Sequence, residues 1–182
     1  SFVSITAVPE RVRAARAAGV AVVTLQRGLS VDLAADAPWL VLGTKTLSYA
    51  ANLAAQRFAK RMGADDAIFL STEGRVLEAT SSAVLLVRDG KLITPPHKHG
   101  IVPSTTQKAL FEVAERAGYT CEYRPLFAAD LIMADGLWLL SSVTVATRVT
   151  KLDGLTMFEP EIAPKIAQLA DEAVRRIGTL VR

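Results

Sequence analysis

Short apolar runs, several of them alternating with polar residues, recur along the chain. Runs of this length that are rich in β-branched residues are typical of β-strands. They predict strands at residues 2–8, 20–25, 67–70, 83–87 and 137–140. Turn signals at Glu73-Gly74 and Asp89-Gly90 separate several of these runs, so we expect adjacent strands to form hairpins.

Other segments carry apolar residues at three- and four-residue spacing, the period of an amphipathic helix. They predict helices at residues 9–18, 47–62, 106–117 and 160–177. Pro9 suits a first helical turn, and Gly19 suits a helix end. Hairpin-like strands mixed with helices predict an α+β fold, with a barrel-like, mixed, largely antiparallel sheet and surrounding helices, and not a doubly wound parallel sheet.

The composition is that of a soluble globular domain. The chain has 182 residues and 51% hydrophobic content, and no run approaches the roughly 20 apolar residues of a membrane span. Its 21 Lys and Arg residues are interspersed with 18 Asp and Glu residues, so the net charge of +3 forms no basic block. We therefore expect neither nucleic acid nor membrane as a partner.

The single cysteine, Cys121, lies in a predicted strand and cannot form an internal disulfide, which fits a reducing cytoplasm. We expect it to be a small buried residue. His97 and His99 have a metal-like spacing, but no acid cluster accompanies them, and we predict a loop and no metal site. Trp39 and Trp138 are predicted core aromatics.

The chain starts at Ser1 without a methionine and enters an apolar run at once. This beginning resembles the interior of a longer sequence. We expect the 182 residues to be a piece of a larger protein.

Lys45 and Glu78 stand in segments whose apolar neighbours favour burial. Lys45 follows the run at residues 39–44 and precedes a predicted helix, so we expect it between an apolar strand and a helix start. Partial desolvation there would keep a neutral, nucleophilic amine available. Glu78 follows Val76 and Leu77 in a predicted strand, and a buried carboxylate requires a cation or hydrogen-bond donors. The alternatives are a surface lysine and an edge-strand glutamate.

The runs KTLSYAAN (45–52) and VLEATSS (76–82) together resemble the core of the fold-type IV pyridoxal phosphate enzymes. This family includes branched-chain and D-amino-acid aminotransferases and aminodeoxychorismate lyase. The resemblance implies that Lys45 is the catalytic residue and binds pyridoxal 5′-phosphate covalently, and that Glu78 keeps the pyridine nitrogen protonated. Tyr49 is offset by one residue from a tyrosine of the aminotransferases, and we assign it no role.

The segment GIVPSTTQKAL (100–110) places hydroxyl residues at a predicted helix N-terminus, where free amides and the helix dipole favour anions. It resembles the phosphate-binding turn of the family. By that resemblance Ser104 takes a glycine position, Thr105 and Thr106 donate amides to the phosphate, and Gln107 takes an arginine position.

The run at residues 138–154 resembles the last core strand of the family, in which Ser141 and Ser142 occupy the positions of a phosphate-contacting pair. The hydroxyl cluster that ends in Ser82 resembles the segment beneath the cofactor ring. Its members are Thr80, Ser81 and Ser82. Ala83 replaces an asparagine that many members of the family carry.

The resemblance implies that residues 1–182 form the larger, cofactor-binding domain of the family, with the D-amino-acid aminotransferase-like fold. The smaller N-terminal domain of the family is not among these residues. In the family, that domain supplies an arginine to the phosphate and part of the substrate pocket.

The predicted function is aminodeoxychorismate lyase, which converts 4-amino-4-deoxychorismate to 4-aminobenzoate and pyruvate in folate synthesis. The alternatives are an aminotransferase acting on D-amino or branched-chain acids, and an inactive cofactor-free fragment. The resemblance also implies a small-molecule substrate, a homodimer and a cytoplasmic location.

Overall fold

The apolar runs assemble into one mixed sheet in a computed structural model that describes residues 3–179. Phe2, in the first predicted strand, lies outside the described residues. Within them the strands are β1 Val20–Gln26, β2 Asp66–Leu70, β3 Val76–Ala79, β4 Ala83–Arg88, β5 Lys91–Thr94, β6 Cys121–Tyr123, β7 Gly136–Ser141, β8 Val145–Leu152 and β9 Leu155–Thr156. The helices are α1 Glu10–Ala18, α2 Leu33–Asp36, α3 Ala50–Arg61, α4 Thr105–Arg116, α5 Ala128–Ile132 and α6 Ala163–Thr179, with 3-10 turns at Pro38–Leu40 and His97–His99.

The strand order is β3-β2-β1-β8-β7-β4-β5-β6, with β9 paired to β8. Among the described residues five strand pairings are antiparallel and three are parallel. The two ends of the sheet approach each other, because the Val76 amide in β3 donates to the Leu126 carbonyl beyond β6 at 2.7 Å. Arg75 and Phe127 form an isolated bridge at the same place. The sheet is therefore curled and barrel-like, and the predicted fold class is confirmed.

Alternation along the strands divides the core into two parts. In β4, Val84 and Leu86 face the interior of the curled sheet, whereas Leu85 and Val87 face α4 and α6. This is the period-two pattern of a strand that is buried on both faces. Each large apolar side chain that is buried here contributes about 1.5–3 kcal/mol relative to exposure.

Gly19 joins α1 to β1 at a position that only glycine fits. Its φ is +81°, and a Cβ there would lie 2.7 Å from the Arg148 carbonyl oxygen and 2.5 Å from Thr150 Cγ2. An ion pair between Arg16 and Asp171 also ties α1 to α6. Helix α1 thus lies against β8, in the middle of the strand order.

Several predicted elements differ from the structure. The part of the predicted first strand that is described, residues 3–8, is exposed and contains no strand. A run of alternating residues needs a neighbouring strand to supply hydrogen bonds, and no described strand flanks this one. The predicted strand at 138–154 is a hairpin of β7 and β8, and Val145, the first residue of β8 after the turn, has a φ of +62°.

The predicted helix at 47–62 begins only at Ala50, and Leu47 is 99% exposed. The last helix begins at Ala163 instead of residue 160. Trp138 is buried as predicted, but Trp39 is 75% exposed and is no core residue. Among the described residues no helix is both long and apolar enough to cross a membrane.

Candidate active site

A cleft of about 920 Å³ gathers every residue that the sequence analysis assigned to the site. These residues are Lys45, Glu78, Ser82, Thr105, Thr106, Ser141 and Ser142. They come from four separate parts of the chain, so the fold brings distant motifs to one cavity.

Lys45 lies in an irregular segment, five residues before α3. The expected apolar strand before it does not exist, because residues 38–40 form a 3-10 turn and Val41 has a φ of +47°. Lys45 is exposed in this chain, so the predicted partial desolvation is not found. Its Nζ lies 3.5 Å from Tyr49 Oη, a weak hydrogen bond, and 5.9 Å from the centroid of the Tyr49 ring. Tyr49 is therefore a neighbour of Lys45 that the sequence analysis left without a role.

Glu78 in β3 is held by two donors. Its Oε2 accepts a hydrogen bond from the Val102 amide at 3.1 Å, and its Oε1 lies 3.4 Å from Arg27 Nη1. The side chain is 14% exposed. Burial raises the pKa of Glu78, and the Val102 amide and the charges of Arg27 and Lys45 partly oppose that rise. The carboxyl group is thus short of positive charge, and a further cationic donor would stabilise its ionised form.

Arg27 was missed by the sequence analysis. It directly follows the apolar strand β1, and a single arginine at a strand end does not indicate which carboxylate it will contact. Its partner is 51 residues further along the chain.

The N-terminus of α4 lines part of the cleft. Ser104 caps the helix, since its Oγ accepts from the Gln107 amide at 3.2 Å. Its φ of −82° is an ordinary one, so a glycine is not required there. The amides of Thr105 and Thr106 belong to the first turn, where a helix offers no internal acceptor. Gln107 at the arginine position is fully buried, and its Oε1 accepts from Tyr123 Oη at 3.0 Å.

Hydroxyl groups of the β7–β8 hairpin form another wall of the cleft. Ser141 Oγ is engaged in the turn, because it accepts from the Thr144 amide at 3.0 Å and lies 2.8 Å from Thr144 Oγ1. Ser142 is exposed at this wall. Thr147 also lines the cleft, and its buried Oγ1 has no partner among the described residues. A buried hydroxyl without a partner costs about 1–3 kcal/mol, so a ligand with polar atoms fits this wall.

The turn after Glu78 is supported by a polar network. Thr80 Oγ1 donates to Asp66 Oδ1 at 2.5 Å and accepts from Gln56 Nε2 at 2.7 Å. Asn52 Nδ2 donates to the Thr80 carbonyl at 2.6 Å. Burial raises the pKa of Asp66. The sequence signal was the spacing of Asn52 and Gln56, which places two amide side chains on one face of α3.

This network holds the turn that carries Ser82. The turn closes through a hydrogen bond from the Ala79 amide to the Ser82 carbonyl at 2.8 Å. Ala83, which takes an asparagine position by the resemblance described above, is the first residue of β4 and pairs with Leu140. The substitution therefore leaves the strand pairing intact.

The two histidines lie apart from the cleft lining. The His97 ring packs edge-on against Tyr123, with centroids 5.2 Å apart. Burial lowers the pKa of His99. Over residues 3–179, no group of three or more His, Cys, Asp and Glu side chains could hold a metal ion.

Residues 1–152 match the family model of the amino-transferases of class IV. The chain belongs to this family, and the predicted resemblance is confirmed. The match extends along the chain as far as the end of β8.

The chain is similar to a protein of Mycobacterium tuberculosis described as a bifunctional aminodeoxychorismate lyase / D-amino acid transaminase. The two are 47% identical over an alignment of 181 positions, which covers 96% of this chain and 63% of that protein. This chain therefore spans less than two thirds of that relative.

Two solved structures have the same fold as this chain. A hypothetical aminotransferase from Mycobacterium tuberculosis in a PLP-bound form has a TM-score of 0.91 and 49% identity, over 92% of this chain and 60% of that one. A putative 4-amino-4-deoxychorismate lyase from Legionella pneumophila has a TM-score of 0.77 and 26% identity, over 85% and 56%. Together with the family match, the PLP-bound neighbour confirms the predicted cofactor, pyridoxal 5′-phosphate.

Proposed function

We propose that this chain is the cofactor-binding part of a pyridoxal phosphate-dependent enzyme. In this proposal Lys45 is the point of covalent attachment, Glu78 contacts the pyridine nitrogen, and the N-terminus of α4 binds the phosphate. The fit is supported by three features of the cleft. They are an accessible amine, a mostly buried carboxylate whose pKa is raised despite its contact with Arg27, and first-turn amides that line the same cleft as the unpartnered Thr147 hydroxyl.

When bound, pyridoxal phosphate supplies an electron sink for the amine-bearing carbon of the substrate. Lys45 Nζ would take up and return a proton there, because it is an accessible amine of the cleft, with Tyr49 Oη 3.5 Å away. Glu78 would hold a proton on the ring nitrogen, since its carboxylate is mostly buried. The amides of Thr105 and Thr106, with the hydroxyls of Ser142 and Thr147, would hold the phosphate. Ser82 would contact the cofactor from the turn after Glu78, and Ser141 supports the hairpin turn.

The proposed reaction is the conversion of 4-amino-4-deoxychorismate to 4-aminobenzoate and pyruvate. The observation that carries it is the 47% identity to the bifunctional relative over nearly the whole chain. The same observation supports D-amino acid transamination as a second activity. Homodimer formation and a cytoplasmic location remain predictions.

The cofactor assignment is tested by reducing the adduct between pyridoxal phosphate and the chain, so that it can be located. We expect borohydride reduction of the 182-residue chain with excess pyridoxal phosphate to give one irreversible adduct, located by peptide mass spectrometry at Lys45. Lys45→Ala should abolish the adduct. Lys60→Ala is a matched control, because Lys60 lines the same cleft on α3. An adduct that persists in Lys45→Ala, or disappears in Lys60→Ala, contradicts the assignment.

The reaction is tested on a protein of the full length of the relatives. Formation of 4-aminobenzoate from 4-amino-4-deoxychorismate measures the lyase, and pyruvate formation from D-alanine and 2-oxoglutarate measures the transaminase. We expect both activities, and we expect Lys45→Ala to lose both. Transamination of branched-chain amino acids alone would favour the other alternative.

A further inference from the structure

We propose that Arg27 is a positioning residue that keeps the Glu78 carboxylate ionised and in place to receive a cationic ring nitrogen. The inference deepens the proposed function and rests on Glu78 facing the cofactor. The match to the family does not itself assign this role to Arg27.

The backbone brings Arg27 to Glu78 across the sheet. Arg27 follows the last residue of β1, and its amide donates to the Leu70 carbonyl at the end of β2, at 2.8 Å. Its guanidinium lies 5.7 Å from the centroid of the Phe69 ring. The side chain therefore crosses β2 and reaches the neighbouring strand β3, where Nη1 meets Glu78 Oε1.

The contact leaves Glu78 able to accept another donor. The pair is mostly buried, with 24% of the Arg27 side chain and 14% of the Glu78 side chain exposed. The 3.4 Å distance joins one guanidinium nitrogen to one oxygen, and the Val102 amide uses the other oxygen. Each carboxylate oxygen has two lone pairs. Arg27 thus supplies charge without filling the site.

The protonation state of Glu78 depends on its burial and on the positive charges near it. Burial raises the pKa of Glu78, while the positive charges of Arg27 and Lys45 both lower it. Lys45 is exposed to water, which screens its charge more strongly than that of Arg27. A protonated Glu78 would be a neutral donor and could not stabilise a ring cation. Arg27 therefore favours the ionised form that the cofactor needs.

The test compares Arg27→Met with Arg27→Lys, which keeps the charge. Arg61→Met is the control, because Arg61 also lies over a phenylalanine ring, that of Phe58 at 5.4 Å, but at the exposed end of α3. The readout is the titration of the ¹³C-labelled Glu78 carboxyl in the cofactor-free 182-residue chain. We expect Arg27→Met to raise the proton affinity of Glu78 about tenfold, which is one pKa unit. We expect Arg27→Lys to restore most of the difference and Arg61→Met to change nothing.

A second measurement tests whether Arg27 affects cofactor binding through Glu78. Equilibrium binding of pyridoxal phosphate should weaken about tenfold in Arg27→Met when Glu78 is present, and by less than twofold in a Glu78→Gln background. An unchanged titration of Glu78, or an equal loss of binding in both backgrounds, would overturn the proposal. If circular dichroism shows that Arg27→Met is unfolded, Arg27→Gln makes the same neutral comparison. Since the titration requires no cofactor, its outcome is independent of the Lys45 trapping experiment.

Discussion

At the scale of the residue, the site is built around a carboxylate held where water is scarce. The donors around Glu78 do not offset the cost of burial, so its pKa is raised. The pKa of Asp66, the first residue of the neighbouring strand β2, is raised for the same reason. Each of the two carboxyl groups is therefore more readily protonated in the folded chain than in the unfolded one.

This predicts that Glu78→Gln stabilises the cofactor-free chain at neutral pH. A carboxyl whose folded pKa is raised contributes its full stability below the unfolded pKa near 4.5, and loses that contribution as the pH rises through the folded pKa. At pH 7 the neutral amide avoids the loss, and we expect a higher free energy of unfolding than that of the original chain, measured by urea denaturation.

The gain should shrink towards zero below about pH 4, where glutamate is itself protonated. Glu112→Gln on the exposed face of α4 is the control and should have little effect at either pH. A Glu78→Gln chain that is less stable at pH 7, or a difference that does not depend on pH, would contradict the prediction. With cofactor bound, the same substitution should reduce turnover, because an amide cannot hold the ring nitrogen protonated.

At the scale of the element, α4 combines a structural and a proposed binding role at one end. Six of its residues are buried against the sheet and α6. Its first turn opens into the cleft, and the Ser104 hydroxyl satisfies the Gln107 amide. Packing therefore fixes the direction in which the free amides of Thr105 and Thr106 point.

We predict that Ser104→Ala lowers the free energy of unfolding by about 1 kcal/mol, the usual effect of removing an N-cap. Fraying of the first turn should also weaken pyridoxal phosphate binding. Ser104→Asn retains a capping oxygen, and we expect it to stay within a few tenths of a kcal/mol of the original chain. Equal losses in the alanine and asparagine variants would show that the cap is unimportant. Urea denaturation and cofactor titration measure the two effects separately.

At the scale of the whole molecule, the curled sheet covers its own interior but leaves apolar residues outside. Trp39, Val41 and Leu47 near Lys45 are exposed, as are Leu53 and Met62 around α3. Exposed apolar residues that lie together are typical of a surface that another domain or subunit covers. They are consistent with the predicted homodimer.

The homodimer is tested by sedimentation velocity on a protein of the relatives' full length. We expect a dimer at micromolar concentration, because a closed two-fold dimer is the commonest way to cover such a surface. A monomer across the micromolar range would contradict the prediction. The 182-residue chain, measured in parallel, shows whether this domain alone is sufficient for association.

The sequence by itself determined the elements whose signals are local. Alternation placed β1, β2, β4 and β7 within one or two residues, and glycine ended α1 and α4 at the expected positions. The motifs around Lys45 and Glu78 indicated the family before any contact was known. These signals depend on neighbours a few residues apart, which the sequence displays directly.

Only the tertiary structure decided which distant groups meet. Arg27 reaches Glu78 because only β2 separates β1 from β3, and Asp66 reaches Thr80 because β2 and β3 are neighbours. The tertiary structure also decided two predictions that were wrong, since Trp39 is not packed into the core and Lys45 is not covered by this chain. Periodicity specifies which face of an element is apolar, but the partner of that face depends on the path of the whole chain.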